Sequence, residues 1–75
     1  MAKRNDPKKF SKMLGLRIRQ IRNERGWTLE DCEERGYPSW RHLQSIEAGK
    51  NMNIETLVRI ANLFGVHPSE ILDGV

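Results

Sequence analysis

Apolar side chains in this chain return every third or fourth position, the period of a helix buried along one face, and strict two-residue alternation is nowhere sustained. Phe10, Met13, Leu14, Ile18 and Ile21 make the first stripe, with lysines and arginines around the rest of the cylinder. Asp6 and Pro7 predict where that helix starts: the carboxylate caps free amides, and proline at the first helical position lacks an N–H that would go unused. Gly26 predicts its end. Thr28, with Asp31 three residues on, predicts the cap of a short second helix that turns Leu29 and Cys32 inward and stops at Gly36. After a turn at Tyr37 and Pro38, Ser39 predicts the cap of a third helix running to about Glu47, with Gly49 just beyond. Asn53 opens the fourth and most apolar helix, which carries Ile54, Leu57, Val58, Ile60, Ala61 and Phe64 and ends at Gly65. His67 and Pro68 open a last short helix with Ile71 and Leu72 turned inward. The expected fold is all-α, a compact five-helix domain with the fourth helix at its centre.

At 75 residues the chain supports one domain, and a domain this short buries only about 60% of the surface its unfolded form exposes. A thin core and a deep catalytic cleft are hard to build together, so a binding module is expected rather than an enzyme. Charge sharpens this. The formal net charge of +3 conceals nine basic against two acidic side chains in residues 1–27, a net of +7, and four against eight in residues 28–75, a net of −4. Such polarity points to a polyanionic partner. Cys32 stands alone and permits no internal disulfide, and neither a secretory leader nor a membrane span is evident, so a cytoplasmic location is expected with no membrane partner. The histidines and the cysteine lack the count and spacing of a zinc site, and no metal or other cofactor is expected.

The stretch "SWRHLQSIEAGK" is lightly apolar for a helix of so small a domain. Leu43 and Ile46 suffice for one buried edge, which leaves Arg41, Gln44, Ser45 and Ala48 facing out.

"RxxRG" at residues 22–26, Thr28 at the second cap, "IEAG" closing the third helix, and "LVRIANLFGV" followed by "IL" occur in a particular order. From about Leu14 to Leu72 the chain resembles the Cro and lambda-repressor (XRE-type) helix-turn-helix family. The resemblance implies that the third helix enters the major groove of double-stranded DNA while the second crosses the phosphate backbone. It places Ser39, Trp40, Arg41 and Ser45 where family members reach base edges or neighbouring phosphates, with Gln44 able to do either. Arg41 is the foremost candidate, since a guanidinium bonds both N7 and O6 of guanine. Trp40 fits two roles, covering the edge of the core or touching a thymine methyl or sugar. Lys9 and Arg17 on the first helix, and Lys50 and Asn51 after the third, are candidate DNA contacts. Arg22 and Glu47 match a pair that the family joins between the first and third helices, where its value lies in fixing the recognition helix's angle.

Departures from the family pattern are concentrated around the second helix. Leu29 stands where a phosphate-binding glutamine is usual, Glu33 replaces a small alanine, and Tyr37 holds the turn glycine's place, with Gly36 one step earlier. Glu33 is expected to bend outward or go unpaired. Glu30, Asp31, Glu33 and Glu34 bring negative charge toward phosphate, so DNA binding requires them to turn away or to pair with Arg35 and the first helix's arginines. The expected organisation is a mobile basic arm over residues 1–6 ahead of a helix-turn-helix domain over residues 7–75, the arm following the DNA backbone or entering a minor groove. The expected function is sequence-specific transcriptional regulation by a homodimer on a palindromic operator, with Ile71, Leu72 and Val75 contributing to self-association. The alternative is a protein-interaction module on the same fold, with the acidic second helix facing a basic protein partner.

Overall fold

In the computed structural model, which describes residues 4–75, the chain forms five helices: α1 (Pro7–Glu24), α2 (Leu29–Glu34), α3 (Trp40–Glu47), α4 (Ile54–Phe64) and α5 (Pro68–Leu72). No strand occurs among the described residues. Each expected cap is made by the residue that predicts it. Asp6 accepts from the Lys8 amide at 2.9 Å, Asn53 from Thr56 at 2.8 Å, and His67 Nδ1 from Ser69 at 3.1 Å. The box at α2 is complete: Thr28 Oγ1 accepts from the Asp31 amide at 3.0 Å, and the Asp31 carboxylate accepts from the Thr28 amide at 2.8 Å. α4 ends on Gly65 at φ +69°, a left-handed conformation that costs glycine nothing. Of the expected arm, residues 1–3 lie outside the described residues; Arg4 and Asn5 are exposed, and Asp6 belongs to the start of α1.

Leu14, Ile18 and Ile21 of α1 meet Cys32, Tyr37, Leu43, Ile46, Leu57, Ile60, Ala61, Phe64 and Ile71 in one core. α1 packs against α3 and α5, α2 against α3, and α4 against α5. Several residues expected inside are not. Phe10 and Met13 are 38% and 47% exposed, because α1, at 18 residues, outruns its eight- and five-residue neighbours α3 and α5. Ile54 and Val58 lie open on α4, which meets the bundle through Leu57, Ile60, Ala61 and Phe64, and Leu72 is also exposed. Ile71 is fully buried, so the expectation that it serves self-association is corrected: it completes this domain's own interior, against which the partly buried Val75 packs.

The ends of α1 and α4 are tied together by aromatic and cationic groups. Trp27 stacks on Phe64 with ring centroids 5.9 Å apart, and the Arg25 guanidinium lies over both rings while donating to the Phe64 carbonyl at 2.9 Å. Arg35 covers Trp27 at 4.1 Å. Its charge goes to an aromatic face, worth about 0.5–1 kcal/mol at an exposed site, and Arg35 makes no ion pair with the carboxylates of α2 among the described residues.

Candidate nucleic-acid interface

α3 divides as its sequence requires. Leu43 and Ile46 are fully buried, Arg41, His42, Gln44 and Ala48 are exposed, and Trp40 and Ser45 are half-buried. The Arg41 guanidinium sits 5.3 Å from the centroid of the Trp40 ring, so the half-buried Trp40 offers a platform to its neighbour. Ser45 Oγ donates back to the His42 carbonyl at 2.7 Å, leaving its oxygen lone pairs free to accept. The outer face therefore presents an exposed planar five-donor fork and an exposed amide, with a half-buried hydroxyl beside them.

The C-terminal end of α3 is locked to α1. Arg22 Nε donates to Glu47 at 2.7 Å and its Nη2 to the other carboxylate oxygen at 2.9 Å, while Nη1 donates to the Trp27 carbonyl at 2.8 Å. The two side chains are only 11% and 7% exposed. Hydrogen bonding by Glu47 raises the Arg22 guanidinium above its ordinary range against the opposing effect of burial. A Cβ on Gly15 would come within 2.5 Å of the Ile46 carbonyl oxygen and 2.7 Å of Glu47's, so only glycine lets the two helices approach this closely. Beyond this contact, Pro7, Lys8, Ser11, Lys12, Gly49 and Asn51 line a cleft of about 430 Å³. Cations there sit beside the end of α3 where carbonyls accumulate negative potential, which suits them.

The N-terminal end is held by α2 and the turn. Gly36 takes φ +112° and Tyr37 does not have positive φ, so the turn's left-handed residue is one step earlier than the family pattern and Tyr37 is free to be a core residue, 4% exposed. Its hydroxyl hydrogen-bonds His42 Nδ1 at 2.7 Å with the rings stacked, and burial pushes its phenol up in pKa. Glu33, expected to bend outward or go unpaired, is exposed but not unpaired: it crosses the turn and accepts from the Trp40 amide at 2.7 Å. Ser39 accepts from the His42 amide at 3.3 Å. Of the four carboxylates on α2, Asp31 and Glu33 are thus occupied by backbone amides, and Glu30 and Glu34 are exposed. The ion pairs among the described residues are Arg22–Glu47 and Arg59–Glu55, and neither involves α2.

The remaining candidates fall in different places. Lys50 and Asn51 are exposed just after α3, Asn51 in the cleft wall. Lys9 is exposed on the first turn of α1, outside that wall. Arg17 faces α5, where its Nη2 donates to the Glu70 carbonyl at 3.2 Å. Lys8, Ser11, Lys12 and Gly15 were not singled out from the sequence; their spacing of three and four, continued to Arg22, was the available signal of a polar helix face turned toward a neighbour. Cys32 is fully buried, and burial raises its thiol's pKa, which makes it an inert core residue. Among the described residues, no group of three or more His, Cys, Asp or Glu is placed to hold a metal ion, and no helix is long and apolar enough to cross a membrane.

Comparison with known proteins fits this arrangement. Residues 15–75 match the family described as a Helix-turn-helix domain. The chain is also similar to the HTH-type transcriptional regulator DdrOP3 of Deinococcus deserti, at 35% identity over 60 residues, 79% of this chain and 46% of that relative. The chain therefore spans about half the length of the curated relative it matches. No solved structure matches it.

Proposed function

The chain belongs to the helix-turn-helix domain family, and from that premise we propose that it is a sequence-specific DNA-binding transcriptional regulator, reading the major groove with α3 as a homodimer on a two-fold operator. The single observation that carries the reading is the outer face of α3, unobstructed and donor-rich on a helix whose other side is fixed to the core. The resemblance to a protein named as a transcriptional regulator supports the regulatory part. Arg41 is the proposed base reader; Ser39, Trp40, Gln44 and Ser45 complete the groove contacts. Lys9, Lys50 and Asn51 are proposed against phosphate. Arg17, whose guanidinium already serves the Glu70 carbonyl, contributes through its charge. Half-sites about one helical turn apart would match a two-fold protein, and the apolar side chains left open at Ile54, Val58 and Leu72 offer area for a second copy to cover.

Selection of bound sequences from a random duplex pool, with the winner titrated at two salt concentrations, tests this. A palindromic winner is expected. A steep salt slope without any motif would assign non-specific nucleic-acid binding. No retention at low salt would favour the protein-interaction reading, for which the exposed Glu30 and Glu34 are the supporting observation. Arg41→Ala should relax preference at one base pair per half-site by about 1–3 kcal/mol, whereas Lys9→Ala should weaken all duplexes about equally. Equal, uniform losses from both would overturn the assignment of Arg41.

A further inference from the structure

The Glu33 carboxylate is the one side chain of α2 that reaches the first turn of α3 with a hydrogen bond, accepting from the Trp40 amide at 2.7 Å. That amide belongs to the first residue of α3, one of the amides a helix leaves without an internal partner. The cap residue's own bond, from the His42 amide to Ser39, is long at 3.3 Å. Glu33 therefore supplies the shorter of the two restraints on this turn's backbone amides, beside the 2.7 Å bond that ties the His42 ring to the Tyr37 hydroxyl, and it supplies a charge-assisted one, of the kind roughly twice as strong as a neutral bond. Its base is firm, because α2 starts from a complete capping box and buries Cys32. Downstream of the restraint, the Trp40 ring carries the Arg41 guanidinium at 5.3 Å. A carboxylate on α2, a backbone amide, an indole and a guanidinium thus form one chain of contacts that ends on the outer face of α3.

We infer that Glu33 is a specificity-setting positioning residue: it straps the first turn of α3 to α2 and so holds Trp40 and Arg41 in the orientation from which bases are read. This rests on the DNA-reading function proposed above and adds to it the residue that decides how sharply the groove is read. The strap has a second effect. Its negative charge lies at the end of α3 that would otherwise attract phosphate through the helix dipole, so it lowers affinity for any duplex while raising discrimination between duplexes. Phosphate anchoring falls to the opposite end of α3, where Lys8, Lys12 and Asn51 line the cleft.

The test uses the full chain, the duplex most enriched from a random pool, and a scrambled duplex of the same composition. Two quantities are read for wild type, Glu33→Ala and Glu33→Gln: the ratio of affinities for the two duplexes, and the hydrogen-exchange rate of the Trp40 amide in the free protein. Glu33→Ala should speed that exchange about tenfold and cut the affinity ratio about tenfold, with scrambled DNA bound as well as before or better. Glu33→Gln retains an acceptor oxygen without the charge; it should keep the ratio within about twofold of wild type while both duplexes bind more tightly. A role confined to stability would move the exchange rate and leave the ratio alone, and that result overturns the inference, as does an unchanged exchange rate in Glu33→Ala. A wild-type chain with no preference for any duplex overturns the DNA reading itself and this inference with it, which sets that failure apart from the first two.

Discussion

The two ends of α3 are fastened by different physics. At its C-terminal end a bidentate ion pair, 11% and 7% exposed, and a glycine-mediated approach of backbone to side-chain-free helix leave little freedom. At its N-terminal end the restraints are exposed hydrogen bonds from the Trp40 amide to Glu33 and from the His42 amide to Ser39, with one part-buried bond between the Tyr37 hydroxyl and His42 Nδ1. A desolvated charge pair is costly to break because the surviving partner stays buried without compensation, whereas an exposed bond exchanges with water at a net cost of about 1 kcal/mol. The anchoring end therefore governs whether the domain stands, and the end bearing Trp40 and Arg41 governs how its outer face is presented. Substitutions at the two ends should separate stability from discrimination.

The largest effect is expected from Glu47→Ala. It strands the Arg22 guanidinium, which keeps only its bond to the Trp27 carbonyl, and should cost about 3 kcal/mol or more. In a small domain whose whole stability is of the order of 5 kcal/mol, urea denaturation should find most of the folding free energy gone. Glu47→Gln, which keeps an acceptor, should lose less. A loss under about 1 kcal/mol in Glu47→Ala would mean the pair behaves like a surface bridge, and the contrast between the ends would dissolve.

Gly15→Ala comes next. The added methyl would meet backbone oxygens of Ile46 and Glu47, which cannot swing aside as a flexible side chain would. Overpacking of this kind costs about 1–3 kcal/mol, set against about 1 kcal/mol gained from alanine's better helix propensity. A net destabilisation of about 1 kcal/mol is expected. The more telling readout is geometric: amide chemical shifts at Ile46 and Glu47 should move, and affinity should fall for every duplex alike. A variant as stable as wild type with those shifts unmoved would show that α1 and α3 can part without consequence.

Much of this architecture was legible in the chain. Asp6, Thr28, Ser39, Asn53 and His67 start the helices they predict, because a cap is a local event between a side chain and amides two or three residues away. The Arg22–Glu47 pair was legible through resemblance alone. Periodicity puts Phe10 and Met13 on the apolar stripe of α1 and turns Leu72 inward, because it tells which side of a helix is apolar but not how far the neighbouring helix extends to cover it. The bond of Glu33 to the Trp40 amide is not legible for a related reason. Whether a carboxylate crosses a turn depends on where the turn places its left-handed residue, and here that is Gly36, which lets Tyr37 sink into the core and brings the Trp40 amide within reach.

The smallest effect concerns the footing of the N-terminal end. α2 is six residues long, far below the length at which an isolated helix holds itself together, so its start depends on the Thr28–Asp31 box. The backbone amide of Thr28, and then its hydroxyl, hold the Asp31 carboxyl below its ordinary value of 3.8. The sign follows from linkage: a carboxyl whose folded value is depressed contributes stability that is present above the ordinary value and is lost as pH falls through the folded one. An NMR titration should therefore give Asp31 a midpoint below 3.8, with the α2 amides loosening across that same midpoint. Asp31→Asn keeps an acceptor for the Thr28 amide but has no proton to gain, so the portion of α2 loosening that tracks Asp31 should disappear while the rest of the acid response persists. A midpoint at or above the ordinary value would show that the box is not made in solution. The Glu33 strap would then start from a helix with a frayed beginning, and the N-terminal end of α3 would be less firmly held than its geometry implies.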